Sequence, residues 1–133
     1  MKQEKLMIGD LVSVLGTPMR IAELGTVRAG FLDENGEMFY NGYDIIEPIP
    51  LTTELLAMNN FKNRGDNHLT YDYGYCYYIE VINCYCGSDD EVTVNLKAGD
   101  YRDFMIELRI KVRYVHELQH ALRLCEMRKE IEI

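Results

Sequence analysis

Basic residues are scarce in this 133-residue chain: 14 Lys and Arg stand against 22 Asp and Glu, giving a formal net charge of −8 and a pI near 4.8. That balance repels phosphate and anionic lipid, so nucleic-acid binding is disfavoured. Long apolar runs are missing too. After Met1 the chain reads Lys2, Gln3, Glu4, Lys5, without the apolar stretch of a signal peptide, and no segment has the length and hydropathy to span a bilayer. A cytoplasmic protein with no membrane association is expected. Cysteine is sparse, and Cys76, Cys84, Cys86 and Cys125 sit within apolar or aromatic stretches, as reduced buried thiols do and disulfide frameworks do not. The chain also lacks a Ser nucleophile elbow, a Gly-rich phosphate loop, a dinucleotide fingerprint, internal repeats and low-complexity tracts. Hydrophobic residues at 47% and charged residues at 27% are ordinary globular usage, which excludes disorder and fibrous repeats.

What is present is a series of short β-forming runs. Between Gly9 and Pro50 they are punctuated by Gly16-Thr17-Pro18, Gly25 and Asn35-Gly36, and the last pair, between Phe31-Leu32 and Met38-Phe39-Tyr40, fits a type I′ hairpin. About five turn-linked strands in some forty residues predict a small antiparallel barrel of SH3-like size, ended by Pro48 and Pro50. Thr52 or Thr53 caps a short helix through Met58, with Asn59-Asn60 as its stop, and Lys62 to Asn67 reads as an exposed loop. A tyrosine-rich strand from Tyr75 to Tyr85 follows, with both faces largely apolar. After the Gly87–Asp90 turn come a strand from Glu91 to Leu96, a polar turn from Lys97 to Asp103, and a period-two strand from Phe104 to Val112. From Tyr114 the period becomes helical, with Tyr114, Val115, Leu118, Ala121, Leu122 and Cys125 on one stripe. The expected fold is therefore α+β: an N-terminal SH3-like β-barrel over 1–50, a linking helix and loop over 51–67, and over 68–133 an antiparallel sheet of about three strands packed by one C-terminal helix.

One motif carries chemistry. His116-Glu117-Leu118-Gln119-His120 satisfies H-E-x-x-H on a predicted helix, the arrangement in which His116 and His120 would bind Zn²⁺ and Glu117 would act as general base. On a helical wheel with Tyr114 at zero, the histidines fall at about 200° and 240°, opposite the apolar stripe, so they should face solvent or another lobe. The longer metzincin pattern fails, because Arg123 replaces the glycine and Glu126 the third histidine, and the thirteen residues after His120 leave no room for a glutamate-bearing helix. The motif therefore reads as a solvated helix face, with no catalytic residue, metal or cofactor assigned. Two other sets are weaker. Cys76 and Cys84 lie more than about 25 Å apart on an extended strand, and Asp89-Asp90-Glu91 is too compact for an EF-hand loop. The tyrosines lie in the most acidic region, with a net −6 over 51–108 against +2 over 109–133, which favours a core or protein-interface role over base stacking.

Two segments resemble a known group. Leu6-Met7-Ile8-Gly9-Asp10-Leu11-Val12 leading to Ile46-Glu47-Pro48-Ile49-Pro50-Leu51-Thr52, and Tyr114-Val115-His116-Glu117-Leu118-Gln119 leading to Lys129-Glu130-Ile131-Glu132-Ile133, are similar to small uncharacterised proteins of gut Bacteroides-type bacteria and their prophages and mobile elements. In that pattern the place of His120 is commonly another polar residue, so the resemblance implies an incidental H-E-x-x-H. The expected function is a noncatalytic intracellular protein-interaction module, an accessory protein of a mobile element, working with a protein partner or as a homodimer. The alternatives are a metal-dependent hydrolase built on His116, Glu117 and His120, and a nucleic-acid adaptor working through Arg109, Lys111, Arg113 and Arg123.

Overall fold

The computed structural model describes residues 1–73, 77–82, 91–100 and 103–132, with the side chains at 99, 100 and 103–106 outside that description. The chain divides into two compact units, Met1–Ile49 and Pro50–Ile133.

In the first unit, strands β1 (Leu11–Val14), β2 (Thr17–Leu24), β3 (Arg28–Leu32), β4 (Met38–Gly42) and β5 (Ile46–Glu47) form one antiparallel sheet in the order β4-β3-β2-β1-β5. This corrects the barrel expectation. Turn spacing counts strands correctly but does not reveal closure, and here β4 and β5 occupy opposite edges. The type I′ turn is also displaced. It lies between β1 and β2, where Leu15 (φ 51°) and Gly16 (φ 83°) both take the left-handed conformation. At Asn35-Gly36 only Gly36 has positive φ, because the Asp33 carboxylate accepts from the Asn35 and Glu37 N–H groups and folds the loop another way. Leu6, Val12, Val14, Ile21, Ala29, Phe31 and Ile46 form the buried core. Gly30 lies beneath the Tyr40 ring, where a Cβ would come within 3.0 Å of Tyr40 Cε1.

The second unit opens with α1 (Thr53–Met58), capped by Thr52, whose hydroxyl accepts the Leu55 N–H at 3.2 Å. Strands β6 (Lys62–Asn63), β7 (Leu69–Tyr73), β8 (Tyr77–Ile82), β9 (Val92–Asp100) and β10 (Asp103–Val112) follow in the order β10-β9-β8-β7-β6, and α2 (Val115–Leu124) completes the elements. Five strands replace the expected three. The Lys62–Asn67 segment is a hairpin rather than a plain loop, with Gly65, Asp66 and Asn67 all at positive φ turning β6 into β7. The expected polar turn from Lys97 is strand, since Lys97 pairs with Glu107 and Ala98 with Ile106. The described residues are thus mostly β, two five-stranded antiparallel sheets with two short α-helices.

Register sorts the second sheet into unlike faces. The row Leu69, Val81, Val94, Ile110 lies on the core side, while the row Thr70, Glu80, Asn95, Arg109 lies on the other. The tyrosine strand accordingly has one apolar face: Tyr77, Ile79 and Val81 are buried, whereas Tyr78, Glu80 and Ile82 are half-buried. Tyr75, Cys76, Cys84, Tyr85, Cys86 and the turn at 87–90 lie outside the described residues.

After α2 the chain turns on Glu126 (φ 57°), whose N–H donates to Arg123 O while Met127 N–H donates to Leu122 O at 2.8 Å, a Schellman stop. The tail then runs back along α2. Gln119 donates to Lys129 O at 3.0 Å and accepts from Ile131 N–H at 2.9 Å. Asn59, at the end of α1, donates to Glu132 O at 2.7 Å and accepts from Glu132 N–H at 2.8 Å. Met127 and Ile131 are thereby buried.

Candidate functional site

The H-E-x-x-H segment does lie on a helix, but Glu117 and Gln119 within it make structural hydrogen bonds, and the buried His116 Nδ1 has no hydrogen-bond partner among the described residues. The backbone approaching α2 is held by the Leu51 N–H bond to Arg113 O and a bridge between Pro50 and Tyr114. No Ser, Thr, Asp or Asn precedes the helix to cap it. Glu117 does so from inside the first turn: its Oε1 accepts both the Arg113 and Tyr114 N–H groups at 3.1 Å. The carboxylate that would be a general base is thus directed at the helix N-terminus.

His116 corrects the reading of the motif as a solvated face. It is 4% exposed, stacked on Tyr114 at 5.9 Å and met edge-on by His120 at 5.6 Å. His120 is half-buried, and Gln119 between them is 2% exposed. The wheel located the apolar stripe correctly, with Leu118 and Leu122 fully buried, but the returning tail gives the opposite side of the helix a second covering. Among the described residues, no three or more His, Cys, Asp or Glu side chains are gathered where a metal ion would sit. Cys125 is a buried thiol whose pKa is raised by that burial.

Sequence reasoning passed over two polar constellations in the second unit. On the outer sheet face, Glu80 accepts from Asn95 Nδ2 at 2.8 Å and meets His68 Nε2 at 2.9 Å. The Asn95 hydrogen bond, followed by the contributions of His68, holds the Glu80 carboxyl below its ordinary range. Tyr78 on the same face is pushed up, first by burial and then by the charges of Glu80 and Asp72. Only the strand register makes this cluster visible, because it joins β8 and β9 to the residue preceding β7. The second is a cleft of about 320 Å³ walled by Tyr71, Tyr73 and Tyr77, the end of α1 and the tail. Tyr73 and Tyr77 stack at 5.0 Å, Phe61 lies 5.3 Å from Tyr71, and Lys129 Nζ sits 4.4 Å above the Tyr71 ring. Burial lowers the Lys129 pKa, against the opposing charge of Glu132. The cleft offers aromatic faces and charges of both signs.

In the first unit the open feature is β4. It lies at a sheet edge, and Met38, Phe39 and Tyr40 are 40%, 40% and 44% exposed. The strand carries no charge and no proline. The bond from Asp33 N–H to Glu37 O fixes the ladder's phase, so in the unbroken register from Leu32↔Met38 to Arg28↔Gly42 the N–H and C=O of Met38 and Tyr40 point away from β3. These are strand-pairing groups with no ladder partner among the described residues. No helix among the described residues is long and apolar enough to cross a membrane. No protein-family model, curated protein or solved structure matches the chain.

Proposed function

We propose that this chain is a noncatalytic protein-interaction module that acts inside the cell, in keeping with the accessory role its resemblance to mobile-element proteins implies. The supporting observation is the edge of β4, three consecutive large apolar side chains beside backbone groups that have no ladder partner among the described residues. Natural sheets normally blunt such an edge with Lys, Pro, a bulge or a covering segment, and recognition domains use it to add a partner's strand. None of the blunting devices is found within β4. Hydrolysis at His116, Glu117 and His120 is the less favoured reading, because the Glu117 carboxylate caps α2.

Capture from native cells with the intact chain and with a Met38→Lys variant tests the proposal. A protein partner held by the former and released by the latter is the expected result. Failure of any partner to depend on Met38 would overturn it. About one zinc per chain that survives dialysis and disappears in His116→Ala would instead turn attention to the hydrolase.

A further inference from the structure

The partner at this edge is specified further by charge. Asp33, Glu34 and Glu37 precede β4, Asp44 follows it, and no basic residue occurs between 33 and 47. Glu34, Glu37 and Asp44 are exposed. The strand is therefore a short uncharged apolar ladder with negative charge at its Asp33–Glu37 end, whereas at the other end Asp44 is accompanied by Arg28, paired with Gly42, and by the Met1 ammonium, which donates to Tyr43 O.

Resting on the reading of β4 as a docking edge, we infer that its occupant is an extended segment of a protein partner, apolar at alternate positions and carrying Lys or Arg on the flank that meets the Asp33–Glu37 end. Pairing to the outward groups of Met38 and Tyr40 supplies main-chain hydrogen bonds, and the alternating side chains lie against Met38 and Tyr40 on one face and Phe39 on the other. The flanking cations would meet Glu34 and Glu37, where rim charges steer association and set orientation, while Arg28 and the Met1 ammonium disfavour cations at the Asp44 end. Cations are not expected opposite Tyr40 itself, because the Arg28 guanidinium already lies 4.9 Å from that ring centroid. A second copy of this chain fits less well. In antiparallel self-pairing centred on Tyr40, the pairing segment of the second copy carries no Lys or Arg between 33 and 47 to meet Glu34 and Glu37.

A displayed library of random twelve-residue peptides, selected against the intact chain at low salt, is the test. The expected winners are strand-forming sequences with Lys or Arg on one flank. Their affinity should fall more than tenfold on Met38→Pro and on Met38→Lys, two changes an edge position tolerates. It should fall roughly three- to tenfold in a Glu34→Gln, Glu37→Gln double variant, with a flatter salt dependence. Circular dichroism verifies that each variant keeps its fold. Winners that are neutral or acidic, yet lost in both Met38 variants, would overturn the charge inference and leave the docking edge standing. Winners indifferent to Met38, or no winners at all, would overturn both. A dimer in sedimentation that is dissolved by Met38→Lys would identify a second copy as the occupant and likewise overturn the inference.

Discussion

Gln119 shows how much one buried amide organises. Its side chain is 2% exposed and satisfies two backbone groups of the tail, Lys129 O and Ile131 N–H. Truncation would leave both groups buried without partners, at about 1–3 kcal/mol for each. Gln119→Ala should therefore cost about 2–4 kcal/mol in chemical denaturation, comparable with Leu118→Ala at about 2–5 kcal/mol. His120→Ala, at a half-buried position, should cost less than either. Equal and small losses for Gln119→Ala and His120→Ala would mean the tail does not hold this face. Hydropathy alone assigns Gln119 to the solvent, since an amide on a helix looks the same in sequence whether water or backbone satisfies it.

At the scale of the element, α2 illustrates a cap supplied from the third helical position. Glu117→Ala should destabilise the protein by about 1 kcal/mol, and Glu117→Gln, which keeps an acceptor oxygen, should recover most of that loss; thermal unfolding of the three proteins checks it. Equal destabilisation by both changes would show that the capping bonds contribute little. Elements were legible where their cause is local. Thr52 and Asn59-Asn60 bound α1 as their chemistry dictates, and alternation located β8 and β10. Long-range causes were not legible. Whether β4 meets β5, whether Lys62-Asn63 finds β7, and which side of α2 the tail covers all depend on pairing partners, on which spacing and hydropathy are silent. The β4 edge was legible as a strand but not as an edge, and the Glu80 cluster emerged only when register joined β8 and β9 to the residue preceding β7.

For the molecule as a whole, acid should be more damaging than its net charge alone suggests. The Glu80 carboxyl titrates below its ordinary value in the folded state, so its contribution is full above the unfolded value of about 4.5 and is lost as pH falls through the lower, folded value. Between neutral and mildly acidic pH this group's contribution should be constant. Below pH 4.5 the wild type should lose stability faster than Glu80→Gln, which should itself be about 1–2 kcal/mol less stable at neutral pH. Denaturation midpoints measured across pH check this, and parallel slopes for the two proteins would remove Glu80 as a source of acid sensitivity.

The clasp between Asn59 and Glu132 has a consequence for biosynthesis. The partners lie 73 residues apart, and Ile131 beside them is fully buried. A ribosome adding roughly 5–20 residues per second makes the second partner some seconds after the first. During that interval α1 and the emerging sheet await the segment that will cover them, whereas the strands of the first unit find all their partners within Met1–Ile49. Vectorial synthesis thus delivers a first sheet whose pairing is already decidable and a second whose closure is deferred to its last few residues.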